Sequence, residues 1–282
     1  MLFVALAGLS GLVWGVGDFA GGKATQTAGA LPVAVLSKLS SLPLLALYLA
    51  LFYVVPVPAS LAWGAVAGSV GMVGIVLFYR ALSAGAMTVV APITAVTSAA
   101  IPVAVGLLSG ERPGGVRLLG VFCALVAIAL VSLAPDRSET RTVTARLLGL
   151  AIAAGVSFAL FFVCLARAGD AAGGAAGMWP IGAAQLAALL LGGLLLLGAR
   201  AGGWPRHRAL GWSLVAGPFD MTANAIFLVA SQRGDLSLVA PLAALYPVTT
   251  VVLALLVDHE RLRGVQVVGL VAALVALLLV SR

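Results

Sequence analysis

The chain has 282 residues, 62% of them hydrophobic and 9% charged, with a mean hydropathy of +1.18. A soluble domain carries about a quarter charged residues, so a water-soluble enzyme or binding module is excluded. The net charge of +7 does not point to nucleic acid, because the arginines fall in short loops between apolar runs, where they anchor helix ends to lipid headgroups.

Ten apolar runs are visible, at 3–20, 31–53, 61–82, 87–108, 115–134, 147–167, 178–199, 210–231, 236–257 and 264–281. Each is close to the roughly 20 residues that cross a bilayer as a helix. The runs are continuous rather than alternating, so helices and not barrel strands are expected. The first run has no basic leader and reads as a span rather than a cleavable signal. The expected class is an all-α polytopic membrane protein with ten transmembrane helices.

A shift of 149 residues lays the chain on itself. Val90-Ala91-Pro92 falls on Val239-Ala240-Pro241, Glu111-Arg112 on Glu260-Arg261, and Gly85, Gly115 and Gly120 on Gly234, Gly264 and Gly269. This predicts two five-span repeats, 1–134 and 147–282, joined by a polar linker at 135–146. An odd number of spans per repeat makes the second copy enter the membrane from the opposite face, so the repeats are inverted, a plan that puts a transporter's site at the midplane.

Ionisable groups inside spans are costly and usually face a cavity or a partner. Asp18 lies toward the end of span 1, four residues after Trp14 and on the same face. Asp220 lies midway along span 8, with Asn224 one turn on and Pro218 just before. Gln185 sits in span 7. Thr94 and Ser98 pair at i,i+4 in span 4, as do Tyr246 and Thr250 in span 9, and span 6 contributes Phe158, Phe161 and Phe162. Each has a plain reading beside the functional one. Asp18 could cap a loop, Asp220 could hydrogen-bond Asn224 or a neighbouring helix, hydroxyls could bond their own carbonyls, and the aromatics could simply pack.

Other features read as scaffold. Glu111 and Glu260 precede spans 5 and 10 and suit the positive ends of those helices. Pro92 and Pro241 fall near the starts of spans 4 and 9, where a first-turn proline is tolerated, a break exposing backbone groups being the alternative. Gly17/Gly21, Gly64/Gly68 and Gly211 suit close helix packing. Cys123 and Cys164 lie mid-span and read as packing residues. Lys38 and Arg80 are placed near span ends, which leaves no mid-span cluster of Lys or Arg and disfavours a phosphorylated solute. No catalytic motif is present, and no metal or cofactor is expected.

Several stretches together resemble the EamA family of the drug/metabolite transporter superfamily. They are Trp14-Gly15 with Asp18-Phe19 and Gly22-Lys23-Ala24, then Tyr79-Arg80-Ala81-Leu82 with Gly85, and Val90-Ala91-Pro92 through Gly110-Glu111-Arg112. In the second half they are Asp220, Ala223-Asn224, Gly234 through Ala240, Tyr246-Pro247, and Glu260-Arg261 with Gly269. The resemblance implies ten helices around a central cavity that opens alternately to each side, with Tyr79 among the candidate site residues. It implies cytoplasmic termini in a plasma or inner membrane, whereas the count of Lys and Arg at span ends would put the termini outside. The expected function is secondary transport, in the export direction, of an amino acid or related amine or neutral solute, with protons as coupling ion and the lipid bilayer as surroundings. The alternative is a non-transporting membrane scaffold. It predicts that Asp18, Asp220 and Tyr246 point into separate interfaces.

Overall fold

A computed structural model describes residues 1–83, 87–133, 144–198, 203–259 and 263–282. Its described residues form twelve helical segments. These are α1 (Leu2–Thr25), α2 (Ala30–Ser40), α3 (Leu42–Leu51), α4 (Pro58–Ser83), α5 (Met87–Leu108), α6 (Gly115–Val131), α7 (Ala145–Asp170), α8 (Trp179–Gly198), α9 (His207–Ser231), α10 (Leu236–Ala243), α11 (Tyr246–Val257) and α12 (Gly264–Val280). The pairs α2–α3 and α10–α11 each make one span, so the segments amount to ten membrane crossings. Eight are long and apolar enough by themselves, and α6 and α12 are shorter apolar helices. The Gly85, Glu260-Arg261 and residue 135–143 expectations lie outside the described residues. Ala145 and Arg146 of the expected linker already belong to α7, whose first turn is capped by Thr144 accepting from Leu147 N–H at 3.2 Å.

Spans 2 and 9 break where proline falls in a following turn. Pro43 and Pro247 lack the N–H that would bond the carbonyl four residues back, and their rings crowd that carbonyl. Helix α2 therefore ends at Ser40, and α10 ends at Ala243. The first break is stitched from another helix: Gln185 Nε2 of α8 donates to Lys38 O at 2.5 Å and to Ser41 Oγ at 2.6 Å. At the second, Gly11 of α1 lets the α1 backbone approach the Leu242 and Ala243 carbonyls, where a Cβ would lie 3.1 and 2.8 Å away.

Pro92 and Pro241 are not first-turn prolines. Both sit inside their helices, α5 and α10, as does Pro102 of α5.

Packing relies on small residues, as lipid supplies no hydrophobic drive between helices. The most extensive pairs are α1 with α9, α4 with α7 and α6 with α12. Helix α4 lies on α8 so closely that a methyl at Gly68 would collide with the Ala184 carbonyl, and α9 lies on α2 so that one at Gly217 would collide with the Ser37 carbonyl. Gly15 packs on the Tyr246 carbonyl and Thr249 of α11, and Gly155 on the Thr94 carbonyl and Thr97 of α5. Where α6 crosses α12, Gly120 meets Leu279 and Val280 while Gly269 meets Leu130 and Val131. Gly21 and Gly211 do not belong to this set, since nothing lies within 4 Å of a Cβ built at either. Their spacing suits packing, but they face no neighbour. Cys164 is buried in the core and Cys123 packs against it, both as free thiols.

Candidate functional site

The helices enclose a cavity of about 800 Å³, within the range of roughly 300–1,000 Å³ usual for small-molecule sites. Its lining climbs to Lys23 and Gln26 at the end of α1, Asp258 at the end of α11 and Gln266 at the start of α12. Counting crossings from the N-terminus, all of these lie on the face opposite the termini, so the cavity opens there.

The termini face is closed by a different set of groups. Glu111, on the loop between α5 and α6, accepts from Leu236 N–H and Ser237 N–H at 2.8 Å each. It therefore caps α10, not the helix that follows it in sequence, and the expectation for Glu111 is corrected accordingly. Helix α10 begins where Glu111 arrives and α6 begins at Gly115, so the carboxylate meets the N-terminal N–H groups of a partner helix. Gly106 makes room, since a Cβ there would lie 2.8 Å from the carboxyl carbon. Arg112 donates to Leu107 O and Glu111 O at 2.9 Å, and Arg167 to Ser109 Oγ at 3.0 Å. A crevice of about 230 Å³ remains among Glu111, Arg167, Asp170 and Asp235.

Eleven of the twelve candidate residues line the main cavity: Trp14, Asp18, Thr94, Ser98, Phe158, Phe162, Gln185, Asp220, Asn224, Tyr246 and Thr250. Tyr79 falls in α4, and its side chain lies outside the described residues. Asp18, Asp220 and Tyr246, drawn from α1, α9 and α11, thus face one space.

Electrostatics set the cavity's character. Lys38 Nζ lies 2.5 Å from Asp220 Oδ2, and Lys23 pairs with Asp258 at the mouth. Lys38 is therefore a mid-span cation, not a span-end one. The α2–α3 break places it in the last turn of a half-length helix, beside the lumen. Along an unbroken run Lys38 reads as a span-end residue, and Pro43 is the sequence signal that the run breaks beside it. Asp18 is exposed to the lumen, within electrostatic reach of both Asp220 and Lys38, and has no hydrogen-bond or ion-pair partner of its own among the described residues.

Several polar candidates are already engaged. Thr94 Oγ1 donates to Ala151 O at 3.0 Å, Ser98 Oγ to Ala95 O at 2.8 Å and Thr250 Oγ1 to Pro247 O at 2.8 Å. Their hydroxyl hydrogens are spent on backbone, Thr94 and Ser98 are buried, and Ser98 also hydrogen-bonds the Tyr246 side chain. The Gln185 amide nitrogen is held by the α2–α3 break. Asn224 differs: its Nδ2 donates to Asp220 O at 2.6 Å, but its Oδ1 has no partner although only 6% of the residue is exposed. Aromatic rings form part of the cavity wall. Trp14 meets Phe162 at 5.3 Å, Phe227 at 5.8 Å and Phe161 at 6.4 Å in tilted or edge-on contacts, and Phe158 meets Phe78 at 6.2 Å. Phe78 also lines the cavity, and Phe227, fully buried, packs behind Trp14 and Phe162; the sequence singles out neither.

Residues 146–282 match the model of the EamA-like transporter family. Through this half the chain belongs to the EamA family. The match covers α9, α10 and α11, and with them Asp220, Asn224 and Tyr246. No curated protein matches the chain significantly. Among solved structures 26 chains match. One crystal structure superposes with a TM-score of 0.79 over 99% of this chain and 98% of its own, at 16% sequence identity. At that identity the likeness carries the EamA chain's fold alone. The family and the ten apolar crossings make this a multi-span membrane protein of the drug/metabolite transporter type.

Proposed function

We propose that the protein is a secondary transporter that carries a small organic solute, such as an amino acid or a related amine or neutral molecule, by alternating access. The observation that supports this reading is a single solute-sized cavity, shared by Asp18, Asp220 and Tyr246, open toward one face and closed toward the other. A scaffold would have scattered those three groups among separate helix contacts.

Residues 1–134 and 147–282 are two inverted five-span repeats. The matched packing of Gly68 on Ala184 and Gly217 on Ser37, one in each half and 149 positions apart, supports this. The state described opens opposite the termini. The other state must release α10 from Glu111 and close the mouth around Lys23 and Asp258. Cytoplasmic termini in the inner membrane would make this the outward-open form of an exporter. A cysteine-accessibility scan over residues 137–141 in intact cells checks the orientation: labelling from the cytoplasm would overturn it.

Asp18 and Asp220 contact the solute or carry the coupling proton. Asn224 orients the solute, and Trp14, Tyr246, Phe158 and Phe162 line its path with Thr94, Ser98, Gln185 and Thr250, and with Tyr79 from α4. In reconstituted vesicles Asp220→Asn abolishes flux driven by a pH gradient. Unchanged flux would remove Asp220 from the mechanism.

A further inference from the structure

We infer that the solute is an organic monocation with at least one N–H donor and an apolar or aromatic remainder: a primary or secondary amine, in preference to a zwitterionic amino acid, a quaternary ammonium ion or an anion. The inference rests on the transport reading above and narrows it.

The charges around the cavity carry the first part. Five charged side chains line it among the described residues: Asp18, Lys23, Lys38, Asp220 and Asp258. Both ammonium groups are taken, Lys23 by Asp258 and Lys38 by Asp220. Asp18 is the one lining carboxyl among the described residues with no ammonium paired to it, so a positive charge is what the lumen can still take up. A solute cation is drawn to it and loses less on leaving water than an anion would. An amino acid brings a carboxylate as well. To match that group, Lys38 would have to leave Asp220, and breaking a partly buried pair leaves a charge stranded.

Asn224 carries the second part. Its Oδ1 is the acceptor end, because Nδ2 is committed to the Asp220 carbonyl. The residue lines the cavity and is almost wholly buried, and the Oδ1 itself is buried with no donor. A buried acceptor without a donor is costly, and a solute N–H removes that cost. A quaternary ammonium has no N–H and leaves Oδ1 unmet. Asp18 and Asn224 line the same cavity from α1 and α9, which pack together. A Cβ at Gly17, beside Asp18, would lie 3.3 Å from Asp220 N, and Asn224 is one turn further along α9 toward Phe227, which touches Trp14. An ammonium between Asp18 and Asn224 therefore has its carbon skeleton directed onto the Trp14–Phe162 surface, where burial adds affinity without regard to charge.

Four phenyl compounds separate these features: phenethylamine, its N,N,N-trimethyl derivative, phenylalanine and phenylacetate. Calorimetric titration of the purified full-length protein in detergent should show phenethylamine binding at least tenfold more tightly than the trimethyl compound and phenylalanine, with phenylacetate unbound. Asp18→Asn lowers phenethylamine affinity at least tenfold and leaves 2-phenylethanol unchanged; the alcohol also reports that the variant is folded. Asn224→Leu removes the preference for phenethylamine over its trimethyl derivative. Equal or tighter binding of phenylalanine overturns the assignment, as does equal binding of the trimethyl compound. Counterflow in vesicles keeps the two levels apart. Movement of phenylalanine but not phenethylamine sinks the amine inference and leaves the transport reading standing. Movement of none of the four, nor of any component of a mixed metabolite extract, sinks the transport reading and this inference with it.

Discussion

Lys38 and Asp220 stand 182 positions apart in the chain and meet at 2.5 Å inside the membrane-spanning region. The pair joins α2 to α9 at the broken span. Removing one partner strands the other charge. Lys38→Met should destabilise the protein by about 1–3 kcal/mol, below the figure for a fully buried pair because Asp220 is partly open to the lumen. The double variant Lys38→Met/Asp220→Leu should recover most of that loss. Chemical unfolding in detergent checks both; a double variant no better than the single would show that the pair is not coupled.

The bonds from Leu236 N–H and Ser237 N–H to Glu111 hold α10 shut on the termini face. Glu111→Ala leaves two helix N-terminal donors unmet, at a cost of about 1–3 kcal/mol. If the protein works by the alternating access proposed above, that is enough to move the balance between its two forms by roughly five- to 150-fold. A Ser231→Cys reporter in the termini-face crevice should then react faster with a membrane-impermeant maleimide in the Glu111→Ala background. Glu111→Gln, which keeps one acceptor, should fall between. Equal labelling rates in all three would show that Glu111 does not hold the gate.

Asp235 sits beside this clamp, just outside the α10–α11 span. Burial lifts its carboxyl above the ordinary 3.8, the Glu111 carboxylate lifts it further, and Arg117 pulls it part of the way back. A carboxyl with a raised folded-state pKa binds its proton more tightly folded than unfolded. Its stabilising contribution is full below pH 3.8 and fades as pH rises through the folded value. Asp235→Asn fixes the neutral form. Relative to the parent, the variant should show no gain at the acid end and a stability advantage that grows as pH rises above 3.8. A difference that stays constant with pH would contradict the assignment.

Gly68 and Gly217 tolerate no side chain, because the carbonyls of Ala184 and Ser37 occupy the space. Gly68→Ala and Gly217→Ala should each lower stability by about 1–3 kcal/mol. Gly21→Ala, with open space around it, should be neutral or slightly stabilising, by up to about 1 kcal/mol. Thermal unfolding of the detergent-solubilised proteins distinguishes the two groups.

Much of this architecture can be read from residues, because lipid leaves few choices. A continuous apolar run must satisfy its own backbone, so crossings are countable, and Asp18 and Asp220 stand out as charges too expensive to be idle. What could not be read was pairing at a distance. Lys38 looks like a span-end lysine until Pro43 breaks the helix and Asp220 arrives from the other half. Glu111 looks like the start of α6 until Leu236 and Ser237 are seen to reach it. Gly64/Gly68 and Gly17/Gly21 have the same spacing. Only the folded neighbours reveal that Gly68 touches backbone and Gly21 touches nothing. The free acceptor on Asn224 was equally invisible, since its partnership with the Asp220 carbonyl determines which end of the amide remains available.

The Glu111 cap also has a consequence for biosynthesis. Its partner Leu236 is 125 residues downstream, a delay of roughly 6–25 s at synthesis rates of about 5–20 residues per second. Through that interval the first five crossings occupy the bilayer with the Glu111 carboxylate still lacking the two N–H donors it caps in the finished fold. The carboxylate stays hydrated at the membrane edge and becomes a docking point once α10 emerges, so the newly made first half remains visibly unfinished until translation is well into the last quarter of the chain.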